Sequence, residues 1–97
     1  MMTHEVRHEP EHSRYALYVD GENVGVADYR IEGDDILFTH TEVAPALRNE
    51  GLGGELVQAA LDDVRATTDL TVVPLCPFLA AWVDDHADYK ELTTRGR

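Results

Sequence analysis

Three groups of residues in this chain have types and spacing suited to chemistry: a glycine-rich run, a histidine close to a glutamate, and a single cysteine. The run is Arg48-Asn49-Glu50-Gly51-Leu52-Gly53-Gly54, set between an apolar strand-like stretch and a helical pattern. Gly51, Gly53 and Gly54 tolerate positive φ and place no side chain before the backbone. The opening turn of the following helix adds unpaired N–H groups at the positive end of its dipole. That combination binds anions, phosphate above all. Arg48 either adds a guanidinium fork to the same anion or is simply solvated. Glycines at a helix start also serve close packing, so the surrounding elements have to decide.

Cys76 stands just before Pro77, at or beside the N-cap of a second helical pattern, where the helix dipole lowers a thiol pKa. A lone cysteine is otherwise a small buried apolar residue. His40 and Glu42 alternate with Ile36 and Phe38, which places all four on one strand face. His40 is then either a core histidine or a site group, and Glu42 either a base or a solvated charge. Thr41 falls on the opposite face, where it serves packing or a local hydrogen bond. Phe78 and Trp82, at helical spacing, read as core, with Phe78 close enough in sequence to Cys76 to line a shared pocket. His4, His8 and His12 are evenly spaced among glutamates, but Pro10 interrupts any helix that would align them for a metal. A mobile polar segment is the expectation there, with no metal site.

The elements that must position these groups follow from periodicity. Arg14 to Val19 alternates as a half-buried strand, with Tyr15, Leu17 and Val19 on one face, and Asp20-Gly21 is a hairpin turn. Val24 to Ile31 returns, Gly33-Asp34-Asp35 turns again, and Ile36 to Val43 forms a third strand of an antiparallel meander. A short strand around Val6 is weakly patterned. From Leu52 the period changes: Leu52, Leu56, Ala60 and Val64, with Val57 and Leu61 beside them, make an amphipathic helix ending near Thr67. Leu70 to Leu75 is a short buried strand, and Pro77 opens a second helix that ends across Asp84 to Asp88. A strand-helix-strand crossover lays the fourth strand parallel to the third, so the glycine run falls at the carboxyl end of the third strand, where open sheets bind ligands. Thr93 to Arg97 is expected to fray.

At 97 residues and 43% apolar content the chain is expected to be one domain, 1–97, with an α+β fold and a single modest core. A net charge of −11, with seven arginines and one lysine against nineteen acidic residues, repels nucleic acid and anionic membranes. It leaves room for a small anion held by backbone dipoles. One cysteine fits a reducing compartment and excludes an internal disulfide. With no membrane-length apolar run and no signal-like start, a cytoplasmic protein is expected.

With these elements in place, Arg48-x-x-Gly51-x-Gly53 resembles the acyl-CoA pyrophosphate loop of the GNAT N-acetyltransferases. The blocks His40-Thr41-Glu42-Val43, Leu47 to Gly53, Val73 to Phe78, and His86 through Tyr89 to Leu92 resemble, in order and spacing, the small single-lobe YjdJ-type branch of that superfamily. The resemblance spans roughly residues 6 to 92. It implies a β-β-β-α-β-α core without the further C-terminal strands of larger members, and acetyl-CoA as acyl donor. It also implies a cofactor site at Thr41, Val43, Arg48, Asn49, Glu50, Gly51, Leu52, Gly53, Gly54, Cys76 and Phe78, with Cys76 and His40 as catalytic candidates. Ala87 stands where the family commonly has proline after His86. Pro74, lacking an N–H, favours a gap between the third and fourth strands that would admit the pantetheine arm.

Two mechanisms follow. In direct transfer an amine attacks the thioester, N–H groups near Val43 hold the oxyanion, and Cys76 or another acid protonates the CoA thiolate. In the other, Cys76 takes the acetyl first with His40 as base or orienting partner. Direct transfer is the superfamily's general route and the expected one. An acetyl-CoA-binding module without efficient catalysis is the alternative, and a plain interaction domain a third reading. The acidic surface suits a cationic amine acceptor. Oligomeric state is not legible.

Overall fold

The structure, a computed structural model, describes residues 3–95 and, within that range, every side chain except those of Arg48, Asn49 and Glu50. Five strands form one sheet in the order β1-β2-β3-β4-β5: β1 His4–Glu9, β2 Arg14–Val19, β3 Glu22–Glu32, β4 Asp35–Val43 and β5 Thr71–Pro74. The first four are antiparallel neighbours, and β5 runs parallel to β4. Helix α1, Leu52–Thr67, crosses from β4 to β5; α2 is Pro77–Asp84 and the short α3 is Ala87–Lys90. The meander, the crossover and the parallel last strand are as the sequence predicts, with one more strand at the edge.

The turns explain the register. Asp20 and Gly21 have φ of 52° and 85°, the paired left-handed residues of a type I′ turn, whose twist matches its strands. Gly33, at φ 60°, opens the next one. One face of the sheet carries Tyr15, Leu17, Val19, Ala27, Tyr29, Ile36, Phe38 and Val72, and α1 covers it with Leu56, Val57, Ala60, Leu61 and Val64. Leu79 and Val83 of α2 and Leu92 complete the same cluster. The other face is polar: Arg7 lies 4.1 Å over the Tyr18 ring, and Glu9 accepts hydrogen bonds from Tyr18 Oη at 2.8 Å and Arg14 Nε at 2.7 Å.

Two expectations about the ends are overturned. The histidine-rich start forms the edge strand β1, with Val6 packed against the core. His8 stacks on Tyr15 with ring centroids 4.4 Å apart and meets Tyr29 Oη at 2.6 Å, while His4 Nδ1 lies 2.9 Å from Glu55 Oε2. Alternation on a strand, not helical spacing, brings His4 and His8 to one side, where β2, β3 and α1 supply their partners. At the other end, Leu92 is buried and Arg95 donates to the carbonyls of Val64, Leu70 and Arg65. The fraying expected from Thr93 therefore does not begin before Arg95; the residues after it lie outside the described range. Ala87 is the first residue of α3, a position that suits proline and alanine alike, so the missing proline leaves that helix start intact.

Candidate functional site

β4 and β5 pair only as far as Phe38 with Pro74. Beyond that point the chain of β5 bends away: the N–H groups of Leu75 and Cys76 both reach back to the Phe38 carbonyl, at 3.1 and 2.9 Å. β4 continues to Val43 without a β5 neighbour, so among the described residues its backbone edge on that side has no strand partner. Pro74 sits at the parting, as a residue with no N–H to give should.

That free edge faces the start of α1. Gly51 takes φ 74°, ending the 3-10 turn Pro45–Glu50 and serving as N-cap of α1 without a side-chain cap. Glu55 N–H makes the bond to the Gly51 carbonyl, at 3.2 Å, which leaves the N–H groups of Leu52, Gly53 and Gly54 ahead of the helical ladder. Between the edge and the helix start lies a cavity of about 510 Å³. Its wall is His40 to Val43 on one side, Gly51, Gly53 and Gly54 on the other, and Phe78 of α2 across the mouth.

The glycines have a packing reason as well. A Cβ on Gly53 would come within 2.8 Å of Phe78 Cζ, and one on Gly54 within 3.3 Å of Trp82 Nε1. They let α2 close on α1 while keeping the backbone bare. Leu52 turns its side chain into the core and can offer a ligand only its backbone. The side chains of Arg48, Asn49 and Glu50, expected to touch the anion, lie outside the described ones.

The sharpest correction concerns β4. Phe38 pairs with Tyr29 but His40 pairs with Asp28, so Thr39 is an extra residue, a β-bulge. A one-residue slip exchanges the two faces of a strand. After the bulge Val43 is buried and Thr41 partly so, whereas the His40 and Glu42 side chains are 58% and 68% exposed. The sequence alternation had put His40 on the face of Phe38 and Thr41 opposite; the structure reverses both. His40 Nε2 lies 3.6 Å from Glu42 Oε2 on the outer side of the strand.

Cys76 is the N-cap of α2, as expected, and is 5% exposed, just outside the cavity wall. Burial pushes its thiol pKa up, but the Thr41 hydroxyl and the N–H groups of Leu79, Phe78 and Thr41 outweigh that and set it below its ordinary value. Thr41 Oγ1 is enclosed and meets no partner at hydrogen-bonding geometry. A thiolate accepts more strongly than a thiol, so ionisation of Cys76 would give this hydroxyl its partner. The structure therefore joins Cys76 to Thr41 where sequence reasoning had joined it to His40. The only advance signal was the polar run Thr39-His40-Thr41-Glu42, which breaks strict alternation.

Among the described residues no group of histidines, cysteines and carboxylates is arranged to hold a metal, and no helix is long and apolar enough to cross a membrane.

Comparison with known proteins follows the same lines. A family model described as GCN5-related N-acetyl-transferase matches residues 14–92. Among solved structures, the ribosomal-protein-S18-alanine N-acetyltransferase from Escherichia coli is similar with a TM-score of 0.65 at 12% identity, covering 88% of this chain and 76% of that one. At that identity the likeness concerns the fold. No curated protein sequence matches.

Proposed function

Because this chain belongs to the GCN5-related N-acetyltransferase family, we propose that it moves an acetyl group from acetyl-CoA to an amine by direct attack. The observation that carries this reading is the parting of β4 from β5 directly beside the bare start of α1, with both lining one cavity. A free strand edge can pair with the amides of an extended arm, and a helix start rich in glycine can hold the pyrophosphate at its end. The arm and the anion sites adjoin, as a pantetheine diphosphate requires.

In this reading Gly51, Leu52, Gly53 and Gly54 offer backbone N–H groups to the pyrophosphate, and Arg48 adds charge from the same loop. Phe78 covers the arm. The acetyl carbonyl lies along β4, where N–H groups around Val43 polarise it and then hold the oxyanion of the tetrahedral intermediate. The acceptor nitrogen gives up its proton on the outer side of β4, to Glu42 or His40. The departing thiolate takes one on the inner side, with Cys76 as the donor. The burial of Cys76 and its separation from His40 by the strand support direct transfer over an acetyl-cysteine.

The test is twofold. Saturating acetyl-CoA should raise the melting temperature, since at a hundred times the dissociation constant a ligand adds about 2.7 kcal/mol. Gly53→Ala, which drives a methyl into Phe78, should blunt that rise while the chain still folds. Amine-dependent release of CoA thiol should then be seen, and Cys76→Ala should slow it about tenfold or more, in keeping with loss of a general acid. Stabilisation without amine-dependent thiol release would leave an acetyl-CoA-binding module. No stabilisation at all would remove the reading, and undiminished transfer by Cys76→Ala would remove that residue from it.

A further inference from the structure

Glu42 belongs to two cavities. It walls the larger one beside the glycine turn, and it also walls a separate recess of about 200 Å³ formed with Asn23, Val24, Gly25, Val26 and Ala44. The second recess exists because of two local features. A register shift between Leu17 and Tyr18 leaves Val24 as an extra residue at the start of β3, and the Ala44 N–H bonds the Val24 carbonyl at 2.8 Å where β4 ends. Val26 pairs directly with Glu42 across the ladder, so valine and carboxylate stand side by side on the outer face.

The chemistry of the lining is specific. Val24, Val26 and Ala44 are apolar, Asn23 spends an amide hydrogen on the Gly25 carbonyl at 3.3 Å, and among the described residues Glu42 is the one formally charged member of the wall. Among the described residues no cationic side chain lines the recess to neutralise it. We propose that this recess is the acceptor subsite and that it takes a small primary alkylamine, its nitrogen at the Glu42 carboxylate and its short chain against Val24, Val26 and Ala44.

The shared wall is what links the recess to the reaction, and in that respect the proposal rests on the acetyl-transfer reading. An alkylammonium at Glu42 stands between its own recess and the donor cavity. It passes one proton to the carboxylate, or to His40 Nε2 beside it. The neutral nitrogen then forms a bond to the acetyl carbonyl carbon, the carbon–sulfur bond breaks with its electron pair on sulfur, and the sulfur takes up a proton. The nitrogen sheds its second proton to water. The products are an N-alkylacetamide and CoA thiol. Anionic acceptors are disfavoured by Glu42 and by the net charge of −11.

The test begins without acetyl-CoA, so that it judges the recess alone. Titration of the isotope-labelled chain with n-butylamine should shift the amide resonances of Val24, Val26 and Ala44, while butyrate at the same concentration should not. Glu42→Gln, at an exposed position, should weaken butylamine binding at least about threefold, and Ala44→Leu should abolish it by filling the space. Shifts that map elsewhere, equal response to butyrate, or unchanged affinity in Glu42→Gln would overturn the proposal. With acetyl-CoA added, butylamine should drive thiol release with a KM that rises in both variants. Release driven by an alanine-initiated peptide but not by butylamine would also overturn it, while leaving acetyl transfer standing. Failure to bind acetyl-CoA would overturn the transfer reading, with the butylamine titration still deciding the recess.

Discussion

A thiol at 5% exposure ordinarily stays protonated, because burial penalises the charged form. Cys76 departs from that rule through what surrounds the sulfur: the Thr41 hydroxyl, turned inward by the bulge at Thr39, and the N–H groups at the start of α2. Lowering the pKa enlarges the thiolate fraction at any given pH, so alkylation by iodoacetamide should reach half its maximal rate at a lower pH than for an ordinary buried thiol. Thr41→Val keeps the shape and removes the hydroxyl. Its alkylation profile should move upward in pH, and Thr41→Ser should restore it. A profile indifferent to both substitutions would sever the connection between the two residues. The type and position of Cys76 were legible in the sequence from Pro77 and the helical pattern after it. The partner was not, because strict alternation along Ile36 to Val43 assigns faces correctly only when no residue is inserted in the ladder.

β1 is an edge strand, and edge strands need fastening. Its fastening is polar and comes from α1 and β3: His4 to Glu55, and His8 to Tyr29 and, at 3.6 Å, to Asp63. Asp63 is itself held by Tyr15 Oη at 2.6 Å. Burial, then the hydrogen bond to Asp63, pushes the Tyr15 pKa far above the usual tyrosine value, so the hydroxyl remains a donor at any pH the fold survives. Tyr15→Phe would leave the ring packing and strip Asp63 of this donor. It should cost about 1–2 kcal/mol in urea unfolding, around the lower limit for hydrogen bonds to charged groups because Asp63 is partly solvated. A cost indistinguishable from zero would mean that water replaces the hydroxyl fully. The weak pattern around Val6 concealed this strand because only one of its inward residues is apolar; His4 and His8 fill the others, and polar residues carry no periodicity signal.

Across the whole molecule, a charge of −11 acts on anything that approaches. In the proposed reaction acetyl-CoA, itself polyanionic, would be held against that field by local backbone dipoles, whereas a cationic amine would be drawn in by it. Salt should therefore divide the two substrates. Raising ionic strength from 0.01 to 0.1 M shortens the screening length from about 30 to about 10 Å. The KM for a cationic amine should rise over that interval and the dissociation constant for acetyl-CoA should hold or fall. If both constants moved together, the field would not be steering the amine. The sheet is asymmetric too: its helices cover one face, while the other carries a polar lattice of Arg7, Glu9, Arg14 and Tyr18.

The sequence by itself determined the meander, the crossover helix, the parallel last strand and the glycine turn at its mouth, because each rests on local turn chemistry or on a period repeated over many residues. It also determined the residue types of the site. The tertiary structure alone decided which of them meet. Whether Thr41 or His40 faces Cys76 depends on one inserted residue at Thr39, and whether Glu42 borders one cavity or two depends on another at Val24. Bulges are settled by how neighbouring strands pair, and that pairing has no counterpart within either strand's own sequence.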